Sequence, residues 1–164
     1  MNTQEQYKAI YKQLSFGSKS FDELKATDDA IKTVFDIAKA MLQITEKNPH
    51  GFKDFSDQKV RSQMKDYMNT LTFLRAYVGS MKDHFKQEHE NKKDSLAILI
   101  NRKLQEKEIT KENPITKIKG EIEGDDEIIN IRGEINVAKQ LVDLYNTVSS
   151  SMEAMVTSIQ SLLK

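Results

Sequence analysis

The chain has 164 residues, 38% of them hydrophobic and 30% charged, with basic and acidic side chains in equal number. It contains no cysteine and no tryptophan, which excludes disulfides and thiolate metal sites and makes a reducing, cytoplasmic setting the natural expectation. With two prolines and six glycines, the composition suits a long-helix protein better than a disordered one. The N-terminus MNTQEQYKAIYKQL has neither the basic nor the apolar region of a signal peptide, and no apolar run is long enough to cross a membrane.

Residues 1–55 read as a helical cap or arm. Tyr7, Ile10, Tyr11 and Leu14 fall on one helical face. Ser20 and Glu23 match a capping box at the start of a short helix. Ile31, Val34, Phe35, Ala38, Met41 and Leu42 form the apolar face of the next helix, with Thr27 as its expected N-cap and Asp28 and Asp29 in its first turn. Pro49 and Gly51 end it.

Residues 56–164 read as a long helical hairpin that also carries the oligomerisation surface. A first long helix, partly interrupted, is expected from about Ser56 to Ile109. Val60, Met64, Tyr67, Leu71, Leu74, Val78, Met81 and Phe85 alternate at four and three residues. The stripe fades in KDHFKQEHENKKDS, leaving open whether residues 84–93 are helical or hinged. It returns shifted in phase at Leu96–Ile100, as after a stutter or a short break. Pro114, Gly120 and Gly124 mark a connection, and the alternation in ITKIKGEI weakly signals a short strand. Asp125 is the expected N-cap of a last helix from about Asp126 to Leu163. There Ile128, Ile131, Ile135, Ala138, Val142, Tyr145, Ser149, Met152, Val156, Ile159 and Leu163 repeat the heptad, and Leu141, Val148, Met155 and Leu162 form a second stripe beside them. So wide a stripe needs more than one neighbour. The expectation is an all-α oligomeric bundle. Ile128, Ile131, Ile135, Leu141, Val142, Tyr145, Val148, Met152, Met155, Val156, Ile159 and Leu162 are its self-association residues. Gly133, in mid-helix, suggests close approach of a neighbouring helix or of nucleic acid.

Charge is distributed unevenly. Lys59–Lys119 holds 14 Lys/Arg against 8 Asp/Glu, whereas Gly120–Leu163 holds 2 against 8. Opposite charges of this kind suit helix pairing, assembly or binding of a polyanion. The basic segment interleaves Tyr67, Phe73, Tyr77 and Phe85, a mixture that single-strand-binding surfaces use. His84 and His89 are five apart and do not share a helix face, and no Glu-x-x-His or His-Glu-x-x-His occurs, so no metal site is expected. Asp125–Glu127 reads as a helix start, because three adjacent carboxylates there do not converge on one point. With no phosphate loop, nucleophile elbow or cofactor fingerprint, neither enzymatic activity nor a cofactor is expected.

The segment KIKGEIEGDDEIINIRGEINVAKQLVDLYNTV resembles the C-terminal part of the UvsY-type recombination mediators of tailed phages. The resemblance rests on Lys119, the Glu121–Ile122 step, Asp125, Ile128–Ile131 and Asp143–Tyr145, preceded by the charged helix KQEHENKKDSLAILINRKLQEKEI. It covers roughly the last 80 residues. In place of the Tyr-Tyr-x-Gly-like turn common in that family, this chain has TKENP. The resemblance implies a homo-oligomeric single-stranded DNA-binding protein in a phage-infected bacterial cell. Such a protein helps load a RecA-like recombinase onto strands covered by single-strand-binding protein. By position it implies DNA contacts from Arg102, Lys103, Lys107 and Lys111, and the basic pattern adds Lys92 and Lys93. The alternative from the residues alone is a structural or adaptor coiled-coil protein, such as a virion component, a chaperone or an inhibitor of a host protein.

Overall fold

A computed structural model describes residues 5–10, 28–47 and 57–164. The expected caps at Ser20 and Thr27, the start at Ser56, the Pro49–Gly51 stop and the positions of Tyr11 and Leu14 lie outside the described residues. Every regular element described is helical, so the chain is all-α. Helix α1 covers residues 5–10, α2 Asp29–Lys47, α3 Gln58–Gln105, α4 Ile115–Glu123 and α5 Asp126–Leu163.

Three of these helices start on an aspartate. Asp28 Oδ1 accepts from the Ala30 N–H at 2.9 Å, Asp57 Oδ1 from Lys59 N–H at 2.8 Å, and Asp125 Oδ1 from Glu127 N–H at 3.0 Å. Each carboxylate satisfies one of the four unpaired amides at a helix start and complements the helix dipole. The Asp125 cap is as the sequence indicates.

Helix α3 is a single helix of 48 residues, ~72 Å long at 1.5 Å per residue. The expected interruption is absent, and residues 84–93 are helical. What changes there is the chemistry of the stripe. After Phe85 its covered positions pass through His89 and Lys92 to Leu96 and Leu99. Two successive steps of four residues, Met81 to Phe85 to His89, account for the phase shift as a stutter inside a continuous helix.

The weakly signalled strand at ITKIKGEI is helix α4. Ile115, Ile118 and Ile122 are three and four apart, and Ile118 and Ile122 are buried, so helical spacing prevails over the apparent alternation. Gly124 caps α4 at φ −88°, a conformation open to any residue, so this turn does not require glycine freedom.

The chain divides into two compact units, and the division cuts through both long helices. Unit 1 comprises Met1–Lys82 and Asp143–Lys164, and unit 2 comprises Asp83–Val142. In unit 1, α3 and α5 run antiparallel. Arg61 donates to the Leu163 carbonyl, capping the end of α5, and farther along Arg75 meets Glu153 at 3.1 Å. Tyr7 and Ile10 of α1, Val34 and Met41 of α2 and Met64, Leu71 and Val78 of α3 are buried with the last turns of α5. Ile37 and Thr45 are buried too, beyond the expected face of α2. In unit 2, Leu99, Ile118, Ile122 and Ile128 form the core, with Leu96, Ile100, Leu104 and Ile131 packed against it.

The wide stripe of α5 is therefore covered within the chain over much of its length. Tyr145, Val148, Met152, Met155, Ile159 and Leu162 are at most 3% exposed, and Ile128 is fully buried. Leu141, Val142, Val156, Ile131 and Ile135 are half-buried. Burying each large aliphatic side chain contributes about 1.5–3 kcal/mol, and here that gain belongs to the chain's own bundle.

Among the described residues nothing packs on Gly133, since a Cβ built there has nothing beyond its own helix within 4 Å. Gly133→Ala is therefore expected to raise stability by about 1 kcal/mol, the helix-propensity difference alone. Chemical denaturation followed by circular dichroism measures it, and a loss of stability would show that something packs on this face.

Candidate nucleic-acid interface

The residues singled out as cationic contacts all lie in unit 2, on the second half of α3 and the connection after it. Their surroundings differ. Lys92 Nζ lies 3.1 Å from Glu134 on α5 and 4.0 Å from Glu88 one turn back. Lys93 is 3.8 Å from Glu90, and Arg102 Nε is 3.9 Å from Glu106, both with exposed side chains. Pairs of this kind contribute little, because water screens them and two long side chains must be ordered.

Lys103 is different. Its side chain is only 18% exposed, and its Nζ sits 3.1 Å from Asp125 Oδ2 and 3.3 Å from Glu127 Oε2. Asp125 thus has two tasks: one oxygen caps α5, and the other holds the last turn of α3. The Lys103 hydrogen bond keeps the Asp125 carboxyl below the usual carboxylate range, and the Asp125 hydrogen bond raises the Lys103 ammonium above the usual lysine value. Arg132 makes a parallel link to Glu123 at 2.8 Å, tying α4 to α5.

Lys107 and Lys111 occupy the connection between α3 and α4. Both are exposed, and neither has a carboxylate within ion-pair distance among the described residues. The connection is ordered by reciprocal backbone bonds between Thr110 and Asn113, 3.2 Å each way, with the Thr110 hydroxyl accepting from Asn113 N–H at 3.0 Å. Lys117 and Lys119 share this exposed, unpaired state among the described residues. They flank Ile118 on α4 and were not among the expected contacts. Glu108 and Glu112 are equally exposed in the connection, which keeps the local field modest.

The aromatic residues expected beside the cations belong to unit 1, apart from Phe85. Tyr67 and Phe85 are half-buried. Phe73 is 82% exposed, and with Leu74, Tyr77, Thr33, Asp28 and Asp29 it lines an open groove. Tyr77 donates to Asp28 Oδ2 at 3.0 Å, and Tyr145 donates to the same oxygen, so one carboxylate fastens the start of α2 to both α3 and α5. Burial and this carboxylate raise both phenols above their usual value. Tyr145, expected at a self-association surface, is thereby an internal fastening.

Among the described residues no group of three His, Cys, Asp or Glu is placed to hold a metal ion, and no helix is long and apolar enough to cross a membrane. His84 and His89 instead approach Glu88 and Glu90 at 3.9 and 3.8 Å. Comparison of the chain with known protein families, curated proteins and solved structures finds no match.

The Lys103–Asp125 link has a defined pH dependence. Asp125's depressed pKa means that its contribution is present above the ordinary carboxylate value and is lost as pH falls through the folded-state value. Lys103's raised pKa means that its contribution is complete below the ordinary lysine value and is lost as pH rises through the folded-state value. Asp125→Asn should therefore lower the melting temperature at neutral pH and converge with the unmodified chain in strong acid. An equal melting-temperature difference at both pH values would refute the link.

Proposed function

We propose that this chain is a non-enzymatic, single-stranded nucleic-acid-binding protein of the recombination-mediator type, assisting the loading of a RecA-like recombinase. The observation that carries this reading is the set Lys107, Lys111, Lys117 and Lys119. These lysines are exposed and, among the described residues, without carboxylate partners, on one connection and the helix that follows it. Cations held in this way release counterions when they meet phosphates, which is the main source of sequence-independent affinity. The resemblance to the UvsY-type mediators runs through the same region and supports the reading. Glu108 and Glu112 beside these lysines argue for weak single sites, so useful affinity would come from several copies acting together. Ile98, Ile109, Ile115, Ile129 and Val137, all exposed in unit 2, are the aliphatic side chains on which such assembly would draw.

A second reading, a structural or adaptor helical protein, is favoured by a different observation. Lys92 and Lys103 of the basic segment meet Glu134, Asp125 and Glu127 of the acidic one, so part of the charge asymmetry serves helix pairing.

Replacing Lys107, Lys111, Lys117 and Lys119 together by alanine separates the two. On the binding reading, affinity for a single-stranded oligonucleotide falls at least tenfold at low salt. The slope of log affinity against log salt becomes shallower by about 0.7 for each phosphate no longer neutralised. Fluorescence anisotropy measures both, and unchanged affinity favours the adaptor.

A further inference from the structure

We infer that the acidic start of α5 is an internal competitor for phosphate that holds Lys103 out of the nucleic-acid site. This rests on the single-strand-binding reading above and adds a regulatory contact to it. Lys103 Nζ is gripped by Asp125 Oδ2 at 3.1 Å and Glu127 Oε2 at 3.3 Å, so two carboxylate oxygens take the places that phosphate oxygens would take in a charge-assisted contact. The lysine lies in the last turn of α3, directly before the connection that carries Lys107 and Lys111. A strand tracking those lysines reaches Lys103 next, and it must displace carboxylates to engage it. The displacement is open to solvent: the Asp125 and Glu127 side chains are 36% and 56% exposed. With both acids this exposed, water can solvate them once a phosphate takes their place at Lys103.

The arrangement supplies its own controls. Asp125→Asn keeps an oxygen to accept from Glu127 N–H, so the cap of α5 persists while the charge is removed. Glu127→Gln likewise keeps the side-chain shape. Asp126, between them, is exposed and has no ion pair among the described residues, so Asp126→Asn removes one charge from the same turn without touching Lys103.

The test is fluorescence anisotropy with a labelled oligothymidylate on the full chain, with circular dichroism confirming helicity in every variant. Asp125→Asn with Glu127→Gln should bind roughly fivefold tighter than the unmodified chain, with a salt slope steeper by about 0.7, one additional phosphate engaged. Adding Lys103→Ala should return both values to those of the unmodified chain, and Asp126→Asn should give much less of the gain. An equal gain from Asp126→Asn would overturn the competitor, since a general change of field would then suffice. So would a double variant indistinguishable from a chain that itself binds. Absence of binding by both the unmodified chain and the double variant at low salt would instead bring down the single-strand-binding reading, and the competitor with it.

Discussion

Helix α5 carries more apolar surface than one neighbouring helix can cover, and the rest of the fold answers that excess. Two adjacent stripes, one through Tyr145, Met152 and Ile159 and the other through Val148, Met155 and Leu162, are buried together in unit 1. An isolated helix with such a face would aggregate or find partners. In unit 1, α1, α2 and the first part of α3 contribute buried side chains to the same core, so the demand is met without a second chain. Unit 2 presents the opposite balance. Its core is four buried residues, and most of the exposed large aliphatic side chains described lie there. The buried part of the stripe whose periodicity first suggests self-association is thus covered within the chain.

Charge does the positioning that apolar contact leaves undone. The buried aliphatic side chains of unit 2 are few, and ion pairs between its helices add to them. Lys103 with Asp125 and Glu127, and Lys92 with Glu134, set α3 against α5 in unit 2. Asp28 does the same in unit 1 by accepting from Tyr77 and Tyr145 while capping α2. In both units an aspartate at a helix start ties local structure to tertiary structure, so one substitution touches both.

Much of the fold was legible in the sequence because heptad spacing is a strong signal. The all-α class, the stripe from Val60 to Phe85, the phase shift before Leu96 and the Asp125 cap all follow from spacing and residue type. The continuity of α3 did not follow, because polar residues at covered positions look like a break when the acids that partner them are distant in sequence. Lys92 is such a case, its partner Glu134 lying on another helix. Of the candidate site, the basic character was legible and the state of each cation was not. Lys103 and Lys107 are equivalent in a sequence, yet one is gripped by two carboxylates and the other, among the described residues, stands free of them.

The reading proposed above has the exposed lysines at the turn of unit 2 bind the backbone of single-stranded nucleic acid. The most direct test is the salt dependence of binding of the unmodified chain to an oligothymidylate, measured by anisotropy between about 50 and 200 mM salt. Measurable binding at the low end is expected, with a linear fall of log affinity with log salt steep enough to report several neutralised phosphates. No binding at the low end, or binding that does not change with salt, would contradict it.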